Sequence, residues 1–177
     1  MGKLKVGSPW PLGSSVTPYG VNFSIAAPHA ENVELLIFQY EHDEYPIETI
    51  SLDQKNRSGD YWHIEVEGLT EGTLYGYKVF IDKDKAKVKH LALDPCARAI
   101  TGWEKYTRNP IDNHRKGYSH FLKGVVTHRD YFDFKSHPRP KHAWNKTIIY
   151  ELHVGGFTKH PDSKINDSKK GTFIGLI

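Results

Sequence analysis

The stretch YWHIEVEGLTEGTLYGYKVFI, residues 61–81, decides the fold class. Trp62, Ile64 and Val66 alternate with His63, Glu65 and Glu67, the period of a strand that buries one face and wets the other. TEG, residues 70–72, turns the chain, and Tyr75, Tyr77, Val79 and Ile81 then form a second inward row. The same pattern extends outward on both sides. GVNFSIAAP places Val21, Phe23 and Ile25 on one face and ends at Pro28; NVELLIF, 32–38, and IETISL, 47–52, follow as strands, and QKNRSGD makes a turn. A last strand is expected around KHLALD, 89–94, before Pro95. Short strands at this spacing, separated by turn residues, describe a mainly β chain folded as an immunoglobulin-like β-sandwich over residues 8–100.

Composition narrows the function classes. The 177 residues are 38% hydrophobic and 25% charged, with ten Tyr and four Trp, which suits a globular domain rather than a disordered chain. Cys96 is the single cysteine, so neither an internal disulfide nor a cysteine-built zinc site can form. Its place favours a small buried hydrophobe. The start, MGKLKVGSPWPLG, lacks the apolar core of a signal peptide, and no apolar run is long enough to span a bilayer. These features imply a cytoplasmic protein with no membrane partner. The net charge of +3 raises nucleic acid as a partner, and Lys83, Lys85, Lys87 and Lys89 would share one face of an extended segment. Asp82 and Asp84 interrupt that stripe, and lysines of this kind guard exposed strand edges, so no nucleic-acid role is expected.

After residue 100 the periodicity fades. Residues 101–145 read as an irregular connector that ends in the proline-broken KSHPRPKHAWN, 135–145. TIIYELHVGGFT, 147–158, is apolar on nearly both faces, as expected of a strand covered on two sides.

Several blocks in order, PLGSSVTPYGVNFSIAAPHAENVELLIF, YWHIEVEGLTEGTLYGYKVF, LALDPCARAI, TIIYELHVGGFT and GTFIGLI, resemble the N-terminal region of isoamylase-type glycogen debranching enzymes of the α-amylase superfamily. The resemblance implies a carbohydrate-binding-type sandwich joined to the start of a truncated (β/α)₈ barrel over residues 146–177, with Thr147–Thr158 as barrel strand one and GTFIGLI as the approach to the first barrel helix. It also implies an α-glucan substrate, glycogen or starch-like, and hydrolysis of α-1,6 branches by the full-length family. The alternative is a non-catalytic glycan-binding or docking module that works alone.

The chemistry of such hydrolysis rests on two carboxylates at the ends of later barrel strands, and no position here corresponds to them. Asp130 with Asp133, and Asp43 with Glu44, read as surface pairs; Glu151 and His153 read as polar residues of the barrel strand rather than catalytic groups. His137, His142, His153 and His160 have no helical metal-ligand spacing, and no glycine-rich phosphate loop occurs, so neither metal nor cofactor is expected. Sugar binding instead calls for aromatic rings stacked on the apolar faces of glucose units. Tyr40, Tyr45, Tyr61, Trp62 and Trp103 are the candidates; Trp62, in phase with Ile64 and Val66, fits the core better. Relatives of this module that bind glycans carry platform tryptophans in the loop after the second strand and near the last hairpin. Here those segments read QYEHDEYP and KDKAKVKH, so weak or no glycan binding is expected, as is self-association through the uncovered barrel strand.

Overall fold

A computed structural model describes residues 2–81, 91–106, 117–128 and 141–177 of the chain. It divides into two units, Met1–Phe132 and Asp133–Ile177.

The first unit is built from strands β1 (Leu4–Lys5), β2 (Gly13–Val16), β3 (Gly20–Ala26), β4 (Asn32–Phe38), β5 (Glu48–Leu52), β6 (Arg57–Ser58), β7 (Tyr61–Glu67), β8 (Leu74–Phe80), β9 (Ala99–Thr101) and β10 (Lys123–Val125). They form two antiparallel sheets. One runs β1-β7-β3-β2, with β6 also on β7; the other runs β5-β4-β8-β10-β9. The register sets the inward rows side by side: Val21 opposite Val66, Phe23 opposite Ile64, Ile25 opposite Trp62 in the first sheet, and Leu35 opposite Tyr77 and Ile37 opposite Tyr75 in the second. These rows face each other and make one buried core with Ile50, Leu52 and Val126. Sandwich packing of this kind buries every second residue of each strand.

Both sheets are also partly covered on the outside, which alternation alone does not disclose. Leu36 and Phe38 of β4 point away from the core, yet they are buried with Leu91 and Phe121 in a second apolar cluster. On the other sheet the segment before β2 lies across the outward side chains: Asn22 Nδ2 donates to the Ser8 carbonyl at 3.0 Å, Ser24 Oγ donates to that of Pro9 at 2.7 Å, and His63 Nδ1 lies 2.9 Å from that of Val6. A carbonyl only accepts, so His63 carries its proton on Nδ1 and its Nε2 accepts from Ser58 Oγ at 2.9 Å. His63, expected on a wet face, is therefore buried and fully bonded.

The structure departs from several sequence expectations. Ile81 is exposed because β8 ends at Phe80, which is buried in its place. Of the strand expected at 89–94, the described part is a single bridge between Ala92 and Tyr77. Cys96 is exposed; its backbone N–H donates to Asp94 Oδ1 at 2.8 Å, and that turn directs the thiol outward. The stretch read as a connector supplies part of β9 and all of β10, and both are hydrogen-bonded into the second sheet. The lysine stripe at 82–90, the Asp130 and Asp133 pair and His137 lie outside the described residues.

In the second unit the strand expected over 147–158 does not form. Residues 147–153 have no ladder partner among the described residues, and Ile148, Ile149 and Tyr150 are exposed. A strand is defined by hydrogen bonds to a neighbour, and an apolar sequence cannot supply the neighbour. The chain turns instead into a short helix, α1 (Val154–Thr158), whose N-terminus is capped by His153 Nδ1 accepting from the Gly156 N–H at 2.9 Å. Thr158 is the buried centre of this unit: its Oγ1 donates to the Val154 carbonyl at 2.6 Å and accepts from the Gly171 N–H at 2.7 Å. The final segment, GTFIGLI, closes in a 3₁₀ turn at Phe173–Leu176. Among the described residues no helix is long and apolar enough to cross a membrane.

Candidate functional site

The loop after β4, residues 39–46, is where three separate segments of the sandwich meet. Asp43 closes it locally: its Oδ2 accepts from the backbone N–H of Gln39 at 3.1 Å and of Tyr40 at 2.8 Å, the kind of side-chain-to-backbone bond that shapes turns. Longer-range bonds then tie it down. Glu41 accepts a short hydrogen bond from Thr101 Oγ1 at the end of β9. Lys123 Nζ of β10 donates to the Glu41 carbonyl at 2.6 Å and to the Tyr118 carbonyl at 3.0 Å, and the Tyr118 N–H donates to the Glu44 carbonyl at 2.9 Å.

The electrostatics follow from this arrangement. Glu41 is held below the usual carboxylate range, first by the Thr101 hydrogen bond and then by His42, the Gly102 backbone and Lys123. Lys123 is 0% exposed, and burial pushes its ammonium down to about 8 against the pull of Asp43 and Glu41. The Phe38 ring, 4.7 Å from Nζ, offers its electron-rich face to the same charge.

Beside the loop, the turn after β9 presents rings to solvent. Trp103 is 60% exposed and lies edge-on to Tyr106 with centroids 5.9 Å apart. The turn is braced by His120 Nδ1, 2.7 Å from the Lys105 carbonyl. Between turn and loop, His42 Nε2 sits 3.2 Å from Glu41 Oε1 and 3.8 Å from Glu104 Oε2.

These three side chains bring their ligand atoms within 4.8 Å of one another, close enough to suggest a cation. The imidazole argues otherwise. His42 Nδ1 is shut off from solvent and has no hydrogen-bond partner, whereas a histidine that binds metal through Nε2 carries its proton on Nδ1 and needs an acceptor there. The arrangement fits an Nε2–H donor held between two carboxylates.

The five sequence candidates fall into different places. Tyr40 and Tyr45 are 64% and 74% exposed on the 39–46 loop, and the bonds from Glu41 and His42 bring the loop of Tyr40 against the turn of Trp103. Tyr61 is half-buried on the other sheet, its ring 5.4 Å from that of Trp10. Trp62 is buried, with Nε1 donating to the Ala27 carbonyl at 3.2 Å and the Arg57 guanidinium 5.1 Å over its ring. It is core and cannot stack on a sugar. Trp10, Tyr106 and the polar trio Glu41, His42 and Glu104 were missed by sequence reasoning; only the isolated aromatic letters could have signalled the first two, and nothing in the spacing joins the trio.

The model of carbohydrate-binding module 48, the isoamylase N-terminal domain, matches residues 11–97. Over those residues the chain is similar to an isoamylase N-terminal module. The module's core rows, β3 through β8, all fall inside the match, while β9 and β10 lie beyond it. The whole chain is similar to part of a glycogen debranching enzyme of Pectobacterium carotovorum subsp. carotovorum, at 36% identity over 99% of this chain and 27% of that protein. The chain thus spans about a quarter of the length of such relatives. Among solved structures, a pullulanase of Bacillus acidopullulyticus matches with a TM-score of 0.59 at 22% identity, over 93% of this chain and 18% of its own. The multi-modular glycogen-degrading pneumococcal virulence factor SpuA matches with a TM-score of 0.63 at 19% identity, over 97% of this chain and 18% of its own. At such identities the likeness concerns the fold of the isoamylase N-terminal module and its neighbouring segments.

Proposed function

We propose that the chain is the N-terminal part of an α-1,6-glucan debranching hydrolase whose catalytic barrel is contributed by further sequence. The observation that carries this reading is the alignment with a glycogen debranching enzyme across 99% of the chain. On this reading the chain alone does not hydrolyse glucans. A retaining glycosidase needs a carboxylate nucleophile and, about 5 to 5.5 Å away, a carboxylic acid that can give up its proton. Glu41 and Glu104 approach each other, but Glu41 is held ionised by Thr101 and so is a poor proton donor, His42 stands between the two, and Glu104 is exposed to water. Asp43 is engaged with loop amides and Asp94 with the Tyr75 hydroxyl at 2.7 Å.

The isoamylase N-terminal module then serves a glycogen-like substrate without chemistry, and with low affinity. The 39–46 loop offers tyrosines where relatives that bind glycans carry tryptophan, which corresponds to a dissociation constant no tighter than about 1 mM, roughly 4 kcal/mol. The exposed run Ile148–Tyr150 is covered by the remainder of such an enzyme and drives self-association when it is absent. The test compares this chain with the same chain extended by its genomic continuation, on pullulan and on limit dextrin. Branch cleavage only by the extended protein is the expected result. Cleavage by the 177-residue chain, or none by the extended one, overturns the reading.

A further inference from the structure

We infer that the turn Trp103–Tyr106, together with Glu41, His42 and Glu104, is an α-glucan contact site, one whose aromatic turn lies beyond the matched module residues 11–97 and which deepens the glucan-binding role proposed above. Three features carry this assignment. First, Trp103 is 60% exposed although it sits directly after a paired strand, and the indole presents a large flat apolar surface, the partner that the C–H face of a pyranose requires. Second, the ring is set in place rather than loose. The Tyr106 ring packs nearly perpendicular to it with centroids 5.9 Å apart, the Tyr106 N–H donates to the Trp103 carbonyl at 3.4 Å, and β9 anchors the turn through Thr101 and Glu41. Stacking on a positioned ring loses less entropy than stacking on a free one.

Third, the polar groups on the same turn and on the loop bonded to it are of the type that sugar hydroxyls need. Glu104, next to Trp103 in sequence, has an exposed carboxylate with free acceptor capacity, and the second carboxylate, Glu41, is kept ionised by Thr101. His42 Nε2 lies between them, 3.2 Å from Glu41 Oε1 and 3.8 Å from Glu104 Oε2. Neighbouring hydroxyls of one glucose unit, each both donor and acceptor, match such an alternation of acceptor, donor and acceptor; a free anion would be repelled by the two carboxylates. The site joins residues from loop 39–46 and from the turn after β9, so it exists only in the folded sandwich.

The experiment is a titration of the ¹⁵N-labelled 177-residue chain with maltoheptaose up to tens of millimolar, following the four indole N–H signals. The Trp103 signal, assigned through Trp103→Phe, is expected to shift with a saturable, millimolar-range midpoint while the buried Trp62 signal stays in place. Trp103→Ala should weaken binding tenfold or more, Trp103→Phe should recover part of it, and Glu104→Gln should weaken it several-fold without changing the fold seen in the rest of the spectrum. Trp10→Ala, on the other sheet, should leave the affinity unchanged. Binding that shifts other signals and survives Trp103→Ala, or no shift of Trp103 at saturating sugar, overturns the site. Either result leaves the debranching reading standing, because that reading is decided by cleavage with the extended protein.

Discussion

Replacing Trp62 by alanine tests the arrangement of the sandwich most directly. The indole is 1% exposed, lies opposite Ile25 in β3, and contributes to the shared core of both sheets. Truncating a buried aromatic to alanine costs about 3 to 5 kcal/mol in lost transfer energy and residual cavity. The Ala27 carbonyl, which accepts from Trp62 Nε1 at 3.2 Å, keeps its second bond from the Ala30 N–H at 3.1 Å, so the lost hydrogen bond adds little. The Arg57 guanidinium loses the ring beneath it, but Arg57 keeps its bonds to the carbonyls of Gly59, Ala30 and Pro28 and stays in place. A loss of about 3 to 5 kcal/mol is a large share of the roughly 5 to 15 kcal/mol that holds a domain of this size, and it lowers the melting temperature by roughly 9 to 20 °C. Thermal melts followed by circular dichroism read the change, with Trp62→Phe as the milder partner that keeps most of the apolar volume and loses the N–H. A Trp62→Ala protein melting within about 2 °C of the parent would refute the core assignment and return Trp62 to the list of sugar platforms.

Other perturbations probe separate features. Lys123 holds its proton less tightly in the folded state, about 8, than in the unfolded chain near its ordinary 10.5; below pH 8 both states are protonated and the full cost of burying the charge is present, and between pH 8 and 10.5 the unfolded chain binds more protons, so stability rises with pH by up to about 3 kcal/mol. Urea denaturation at pH 7.5 and 10 should show that rise in the parent and not in Lys123→Met. Gly124→Ala places a Cβ 2.7 Å from the Tyr75 ring, which is buried and bonded to Asp94, so overpacking should cost about 1 to 3 kcal/mol in the same denaturation assay; an unchanged midpoint would contradict the close approach of β10 to that ring. Amide hydrogen exchange should be fast over 148–153, which have no ladder partner among the described residues, and slow over 62–66, which pair with β3 throughout and with β6 or β1 at their two ends. Protection of Ile148–Leu152 in a monomer would show that the segment finds a partner strand.

The inward rows of the sandwich were legible before any tertiary information, because burying one face of a strand imposes a period of two on its side chains. Val21, Phe23 and Ile25, and again Trp62, Ile64 and Val66, announce which faces meet in the core. The blocks quoted from the sandwich likewise sufficed to indicate the isoamylase-type family, since they belong to strands and turns whose residues answer to local chemistry. Pairing between distant segments could not be read there. The turn at 70–72 joins β7 and β8, yet they lie in different sheets, β7 against β3 and β8 against β4, because which edges meet depends on backbone hydrogen bonds between remote segments. KGV at 123–125 is too short to show alternation and only its valine favours a strand, and it is a strand because β8 and β9 flank it. TIIYELHV has both the composition and the length of a strand and is not one, for want of such flanks. The candidate site shows the same division: Trp103 was visible as a letter, while His42 and Glu41 became its neighbours only when β9 and the loop after β4 closed on each other. Periodicity is a property of one segment, but a ladder and a binding surface are properties of two, and only the folded chain decides which two.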